Sequence, residues 1–318
     1  MKPKLPFLFV AALILNCASL FAAQYGLFIG IDYYLYASSL HSCVNDANGV
    51  RNQLLTDSTR WTTPQTILLT NSGATKAAVR AQIASLAAAA VSGDVVLIYQ
   101  SSPCEQISEM NACLCMYDEL YYDSEFAADI AAFANGVTLI VMLDACFSGG
   151  MFKSGGADVT EWKFAMNAMA ALTDIQTKSG GVSKAPTIGW ITACDYNQTC
   201  LAGDPYSLFT GYAIEGLRFG DSNSDQNVSF YEMFVYARSL ASADNSDQTA
   251  QYLNYTTLNG TIACAATLVD DYETDNSFAT ANIIEIEETQ MRTIYPAGDQ
   301  DYVYFNLTGI TSVTIETS

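Results

Sequence analysis

The feature that most constrains this chain is a regular alternation of short apolar runs with helical patterns between residue 24 and about residue 245. The apolar runs share continuous rather than alternating hydrophobicity: YGLFIGI (25–31), TILLT (66–70), DVVLIYQ (94–100), VTLIVMLDA (137–145) and TIGWITA (187–193). Continuous hydrophobicity indicates strands that are buried on both faces. Helical patterns lie between them at 45–56, 76–91 and 124–134. This alternation predicts an α/β protein, a three-layer sandwich in which helices flank a mostly parallel sheet.

The first 23 residues are typical of a secretory signal, because two lysines precede the apolar stretch LPFLFVAALIL and small residues follow it. Cleavage is expected near Ala22 or Ala23. The alternative is a membrane anchor, but the apolar segment is short and is interrupted by Asn16 and Cys17. We therefore expect a secreted or periplasmic protein that has no transmembrane helix after signal cleavage.

The charge balance limits the partners of this chain. It carries 33 acidic and 13 basic side chains, and signal cleavage removes two of the basic ones. Such a surface repels nucleic acid and anionic membranes, and it favours basic partners or cations. The plainer alternative is that the charge only keeps the protein soluble outside the cell.

Three polar segments follow predicted strands, namely HSCVNDA, QSSPCEQ and DACFSGG. Parallel sheets bind ligands beyond the carboxyl ends of their strands, so these segments are expected to meet at one edge of the sheet. The last segment places Cys146 directly after Asp144 and Ala145, in a turn of small residues that suits a nucleophile. A thiol needs a proton acceptor, and the only histidine of the chain is His41.

Taken in order, YGLFIGIDYY, SCVNDANGVRNQL and LDACFSGG resemble the caspase-like cysteine peptidases, and most closely their metacaspase branch. The resemblance covers roughly residues 25–245. It implies a cysteine endopeptidase with Cys146 as the nucleophile. It also implies that Asp46 and Asp144 bind an Arg or Lys side chain ahead of the cut, and that Ser101 is the small residue near the catalytic histidine.

One departure from the family pattern concerns catalysis itself. The third strand should lead into a Ser–Gly–His–Gly turn, but here it leads into SSPCEQ. Pro103 occupies the position of the histidine, and Cys104 occupies that of the glycine whose backbone N–H faces the oxyanion. Proline can neither accept nor return a proton, so activity is expected to be lower by roughly 10⁴–10⁶-fold. Phe147 replaces a second histidine of the pattern, and His41 is either a relocated base or an exposed loop histidine.

The two acidic residues have alternative interpretations. As a specificity pair, Asp46 and Asp144 would bind a guanidinium or an ammonium group. Alternatively, Asp46 caps the helix that begins nearby and Asp144 only holds the turn at the end of its strand. Three functions therefore remain open: a working peptidase, a degenerate peptidase that binds basic peptides, and a calcium-stabilised binding module.

Residues 221–232, DSNSDQNVSFYE, follow the spacing of an EF-hand calcium loop. The predicted ligands are Asp221, Asn223, Asp225, Asn227, Ser229 and Glu232. Gln226 stands where glycine normally permits the sharp turn, which predicts weak affinity. The alternative is an acidic surface loop with a helix N-cap at Ser229. No organic cofactor is expected.

The remaining features concern cysteines and the C-terminal part. The CLC sequence at 113–115, with Cys104 nearby, suggests a metal site, although the spacing is not that of a zinc site. Disulfide pairing cannot be deduced from the sequence. We place the peptidase-like domain at 24–262, while residues 266–318 resemble part of a bacterial pre-peptidase C-terminal β-sandwich.

Overall fold

A computed structural model of the chain describes residues 22–108, 111–145, 161–178, 186–195, 198 and 200–267, and separate residues between 272 and 306. The strands are β1 (Gln24–Gly30), β2 (Thr66–Thr70), β3 (Val95–Ser101), β4 (Cys104–Ser108), β5 (Asn111–Cys115), β6 (Leu120–Tyr122), β7 (Thr138–Asp144), β8 (Thr187–Thr192), β9 (Asn227–Ser229), β10 (Gln251–Leu253), β11 (Ile262–Ala265), β12 (Asn282–Ile283) and β13 (Val303–Tyr304). The helices are α1 (Cys43–Leu55), α2 (Lys76–Ala89), α3 (Asp123–Ile130), α4 (Glu161–Lys178), α5 (Leu208–Phe219), α6 (Phe230–Asp244) and α7 (Tyr255–Asn259).

The central sheet has six strands in the order β10-β8-β7-β3-β1-β2. All neighbouring pairs are parallel except β10, which pairs antiparallel with β8 at one edge. The five predicted strands and the three predicted helices that separate the first four of them are present, with ends that differ by a few residues. The predicted fold class is therefore confirmed.

Alternate residues of each buried strand enter one of two apolar cores. One core contains Leu27, Ile98 and Val141 and is covered by residues of α2, α3 and α4. The other contains Phe28 and Tyr99 and is covered by residues of α1, α5 and α6. This two-sided burial explains the continuous hydrophobicity of the strands, because both faces of the sheet contact a helical layer.

The register of β1, β3 and β7 shows which residues lie together at the carboxyl-end edge of the sheet. Gly30 at the end of β1 lies opposite Ser101 at the end of β3, and Ser101 lies opposite Asp144 at the end of β7. A Cβ atom at Gly30 would lie 2.3 Å from the carbonyl oxygen of Cys43, so glycine allows α1 to begin directly against the strand end. The carboxyl ends of the three strands therefore lie side by side at the same edge of the sheet.

Among the described residues, three small sheets lie outside the central one and are not apparent from the apolar pattern. Strands β4, β5 and β6 form an antiparallel sheet, and two residues separate its first strand from the end of β3. Strand β11 pairs with β9, which belongs to the predicted calcium loop. In the tail, β12 and β13 pair, while most residues between 266 and 318 lie outside the described ones, so the β-sandwich stays a prediction.

The predicted signal lies outside the described residues apart from Ala22 and Ala23. Over the ranges that the structure describes, no helix has the length and apolar content needed to span a bilayer. Export of the chain stays a prediction from sequence.

Candidate functional site

The site begins with a contact between the first and second polar segments. Ser101, at the end of β3, donates a hydrogen bond from its Oγ to Asp46 Oδ2 at 2.8 Å. Asp144, at the end of β7, lies next to Ser101 in the sheet register. The structure thus brings the predicted trio Asp46, Asp144 and Ser101 together, and all three are fully buried.

Helix α1 positions Asp46 because its N-terminus is anchored by another carboxylate. The backbone N–H groups of Cys43 and Val44 donate to the Asp32 carboxylate, at 2.9 Å and 3.4 Å. Asp46 itself accepts from Ser101 and from the backbone N–H of Ser207 rather than from the helix start. The alternative in which Asp46 caps the helix is therefore wrong, and Asp32 does so.

Two further residues complete the site from the start of α5. Ser207 Oγ and Thr210 Oγ1 each donate to Asp144 Oδ2 at 2.5 Å, and the backbone N–H of Ser207 donates to Asp46 Oδ1 at 2.8 Å. Thr210 also shares a 2.7 Å hydrogen bond with the Tyr99 hydroxyl. Sequence reasoning missed both residues. Their place at the start of a helical pattern was visible, but nothing local indicated that they face these carboxylates.

Burial dominates the electrostatics of the pair. Desolvation, with a smaller contribution from the neighbouring Asp144, raises the pKa of Asp46 to about 8. Desolvation also raises the pKa of Asp144, against the hydrogen bonds from Ser207 and Thr210. Asp144 Oδ1 is buried and has no hydrogen-bond partner within the described part of the chain. At neutral pH the two carboxyls therefore do not both ionise readily unless a cation joins them.

The segment after β3 carries Pro103 and Cys104, the two residues that the resemblance predicts at the family's His–Gly positions. Pro103 is buried, and its carbonyl accepts a hydrogen bond from the N–H of Cys115 at 3.0 Å. The N–H of Ser102 donates to the carbonyl of Asp144 at 3.1 Å. Cys104 then begins β4 and has no positive φ. Pro103 thus lies between Ser102, which is bonded to Asp144, and the first strand of the small sheet.

Cys146, the predicted nucleophile, lies outside the described residues, as does Phe147. The structure follows the chain to Ala145, directly after Asp144. His41 is exposed, just before α1. Its distance from the thiol is not defined, so its role as a relocated base stays a prediction.

The predicted calcium segment forms a loop between α5 and α6. Gln226, at the glycine position of the pattern, has a φ of 67° and so adopts the left-handed conformation that glycine usually provides. The Asp221 carboxylate accepts from the N–H groups of Asp225 and Gln226, at 3.2 Å and 2.8 Å. Asn223 Oδ1 also accepts from the N–H of Asp225, at 2.8 Å.

The far end of this loop has other partners. Ser229 caps α6 and forms a capping box with Glu232, so the N-cap expected at Ser229 is present. Asn227 Oδ1 accepts from Arg60 at 2.8 Å. Among the described residues no group of three or more His, Cys, Asp or Glu side chains is arranged to hold a metal ion. Calcium binding stays a prediction.

The register of the small sheet separates the cysteines of the suggested metal site. Cys104 lies opposite Leu114, and side chains that face each other across strands point to the same side. Cys113 and Cys115 flank Leu114 and therefore point to the other side. The three thiols do not converge as the metal interpretation requires.

A mostly parallel sheet between two helical layers, with a buried acidic pair where its strands end, defines an α/β sandwich of the caspase-like class. A family model described as the caspase domain matches residues 23–259. The chain belongs to the caspase-domain family, which confirms the resemblance to caspase-like peptidases.

The chain is also similar to solved structures. The crystal structure of protein GSU0716 from Geobacter sulfurreducens matches with a TM-score of 0.54 and 18% identity, over 77% of this chain and 99% of that chain. Caspase-1 from Spodoptera frugiperda matches with a TM-score of 0.48 and 9% identity, over 73% and 86%. The structure of pro-sf-caspase-1 gives 0.46 and 11%, over 73% and 91%. No curated protein matches the chain significantly.

Proposed function

We propose that this caspase-family domain binds the Arg or Lys side chain of a basic peptide between Asp46 and Asp144. We propose also that it hydrolyses such peptides only slowly, because Pro103 stands where the general base belongs. The observation that carries the proposal is the buried pair of carboxyls. Within the described chain, neither carboxyl has a Lys or Arg partner.

Burying two carboxyls side by side costs stability, and such a cost is usually retained where a cation is to be bound. A guanidinium group carries five N–H donors and can bind two carboxylates at once. Asp144 Oδ1, which has no partner among the described residues, can accept one of those N–H groups.

Entry of such a side chain requires a movement, since Asp46 and Asp144 are each 0% exposed. Ser207 is the residue that must give way, because its N–H and its hydroxyl contact both carboxyls. The guanidinium donors then replace those of Ser207.

Catalysis would begin with attack of the Cys146 sulfur on the carbonyl carbon of the bound basic residue. That step needs a base to take the thiol proton and an acid to return a proton to the leaving amine. Neither Pro103 nor the hydroxyls of Ser101 and Ser102 is a base of suitable pKa. We therefore expect the domain to retain peptide binding and to have lost most of its hydrolytic activity.

The decisive experiment compares three proteins on fluorogenic peptides that end in Arg or Lys: the native chain, Cys146→Ala, and Pro103→His combined with Cys104→Gly. We expect little native hydrolysis and a gain in the double variant. Native activity that disappears in Cys146→Ala would show that another base operates, and His41→Ala would be measured next.

Binding is tested separately from hydrolysis. A labelled peptide ending in Arg should bind Cys146→Ala, and a matched peptide ending in citrulline, which lacks the charge, should not. Replacement of Asp144 by Asn should weaken binding at least tenfold. Equal binding of both peptides would refute the acidic pocket.

We propose secondly that the loop at 221–232 binds calcium weakly, at the millimolar concentrations found outside cells. The left-handed conformation of Gln226 favours this, because it removes the main objection that the sequence raises. Calorimetric titration with calcium should give a signal that Asp221→Asn abolishes and that Asp174→Asn, an exposed control, leaves intact. An unchanged titration of Asp221→Asn would exclude the loop.

A further inference from the structure

Two cysteines meet directly after β8, on the loop that leads to the acidic site. Cys194 follows the strand by two residues, and Cys200 lies at the far end of a short loop. Their Sγ atoms lie 2.6 Å apart, and the residues are 2% and 3% exposed. A covalent disulfide joins its sulfur atoms at about 2.05 Å, so bonding needs a shift of only about half an ångström.

The loop is already closed by hydrogen bonds that do not involve the sulfur pair. The N–H of Gln198 donates to the carbonyl of Asp195 at 3.0 Å, and the N–H of Asp195 donates to Gln198 Oε1 at 3.2 Å. The Gln198 side chain also accepts from the N–H of Thr249 at 2.7 Å. The native fold therefore holds Cys194 and Cys200 together, and their meeting costs no further ordering.

The segment that follows Cys200 leads to Ser207, the residue that covers the acidic pair. The N–H of Leu201 donates to Gln248 Oε1 at 2.8 Å, and the carbonyl of Leu201 accepts from the N–H of Leu208 at 3.0 Å. Ser207, at the end of this segment, contacts Asp46 and Asp144. A bond at Cys200 would thus fix one end of segment 201–207, whose other end forms the cover.

We propose that Cys194 and Cys200 form an intrachain disulfide, and that this bond holds segment 201–207 over the carboxyl pair. The oxidant is a low-molecular-weight disulfide, such as oxidised glutathione. One cysteine thiolate attacks it and releases one thiol, and the second cysteine then displaces the other half as a second thiol. Two electrons and both protein thiol protons pass to the two released thiols. Export to an oxidising compartment, which the sequence predicts, would supply such conditions.

The proposed disulfide does not depend on the proposed function. Its effect on the entry of a basic side chain does depend on that function. Cys194 Sγ also donates to the carbonyl of Gln198 at 3.5 Å, a contact that oxidation would replace. Cys264 is a buried cysteine outside the pair. It donates from its Sγ to the carbonyl of Leu217 at 3.1 Å, and burial raises its pKa to about 12. That thiol serves as an internal control.

Trypsin makes the bond directly measurable, because cleavage after Lys184 and Arg218 gives one peptide with these two cysteines and no others. The native protein is incubated with oxidised glutathione, unfolded without reductant, alkylated and digested. We expect the 185–218 peptide to appear unalkylated and Cys264 to be alkylated. Prior treatment with a phosphine reductant should give two alkyl groups on the same peptide. A 185–218 peptide doubly alkylated after oxidation, with Cys264 also alkylated, would overturn the proposal.

Amide exchange tests the second half of the proposal. The oxidised protein should protect the amides of segment 201–208 at least tenfold better than the reduced protein or Cys200→Ser, while Cys264→Ser should match the native chain. Equal protection in both oxidation states would refute the fixing role. Neither experiment uses a basic peptide, so failure of the proposed function leaves both results interpretable.

Discussion

At the scale of single residues, the surroundings of Asp46 and Asp144 determine the pKa values of the acidic pair. Asp46 and Asp144 come from different elements, yet Ser207 contacts both of them. Four hydrogen bonds stabilise the ionised forms, but burial outweighs them and raises the pKa of each group. A raised pKa has consequences for stability and for binding that can be measured.

The first consequence is a pH dependence of folding. The folded pKa of Asp46 lies above its ordinary value, so its contribution to stability is complete at acid pH and is lost as pH rises towards about 8. Asp46→Asn does not titrate. Relative to the native chain, this variant should gain unfolding free energy between pH 5 and pH 8, by up to about 1.4 kcal/mol per pH unit.

Urea unfolding at the two pH values measures this difference. Asp174→Asn is the control, since Asp174 is exposed and forms an ion pair with Lys178 on the helix surface. A constant difference between native chain and Asp46→Asn across the range would contradict the raised pKa.

The second consequence concerns the proposed ligand. A bound guanidinium favours the ionised pair, so binding should release a proton wherever the pair holds one. The affinity of an Arg-ended peptide for Cys146→Ala should therefore rise between pH 6 and pH 8, by up to about tenfold per pH unit. Anisotropy titrations at several pH values would show it, and a pH-independent affinity would argue that both carboxyls are already ionised.

At the scale of elements, the site depends on how helices begin. Helix α1 starts against the end of β1, and Asp32 accepts its first N–H groups. We expect Asp32→Ala to lower the unfolding free energy by about 1 kcal/mol, because the N–H groups of Cys43 and Val44 lose their acceptor. Thr75→Ala, which removes the cap of α2, a helix that carries neither Asp46 nor Asp144, is the matched control.

Both variants should unfold earlier in urea, but only Asp32→Ala should also weaken binding of the Arg-ended peptide, since α1 carries Asp46. Equal loss of binding in the two variants would mean that general stability, and not the placement of α1, controls the pocket.

Elements also show what sequence can predict. The runs TILLT and TIGWITA are predicted as strands because burial on both faces leaves a continuous apolar signal, and they form β2 and β8. The β4–β5–β6 sheet was not predicted, since its sequence is polar and rich in cysteine. The place of Asp46 and Asp144 came from a family pattern, whereas Ser207 and Thr210 came only from the fold, because their partners are distant in sequence.

At the scale of the whole molecule, contacts between the segment after α1 and β11 join the two ends of the domain. Asp57 Oδ2 accepts from Arg60 and from the N–H of Ala265, and Trp61 Nε1 donates to the carbonyl of Ala263 at 2.6 Å. The two contacts with β11 join residues about 200 positions apart.

Asp57 gives a prediction at this scale. Burial opposes its ionisation, but hydrogen bonds from Thr59, Arg60 and Ala265 prevail and lower its pKa. Its stabilising effect is therefore present at neutral pH and is lost as pH falls below the ordinary aspartate range. Asp57→Asn should lower the unfolding free energy by about 1–3 kcal/mol at pH 7 and by less at pH 3. A cost that does not change with pH would show that the carboxylate charge is irrelevant.

The acidic site has a final property that follows from where its parts lie along the chain. Ser207 and Asp46 are separated by 161 positions, and Ser207 and Asp144 by 63. Contacts between such distant positions form late, after the loops between them have closed. No contiguous fragment shorter than most of the domain can contain the complete pocket. Only a completely folded domain would thus bind a basic peptide, and nascent or partly degraded chains would not.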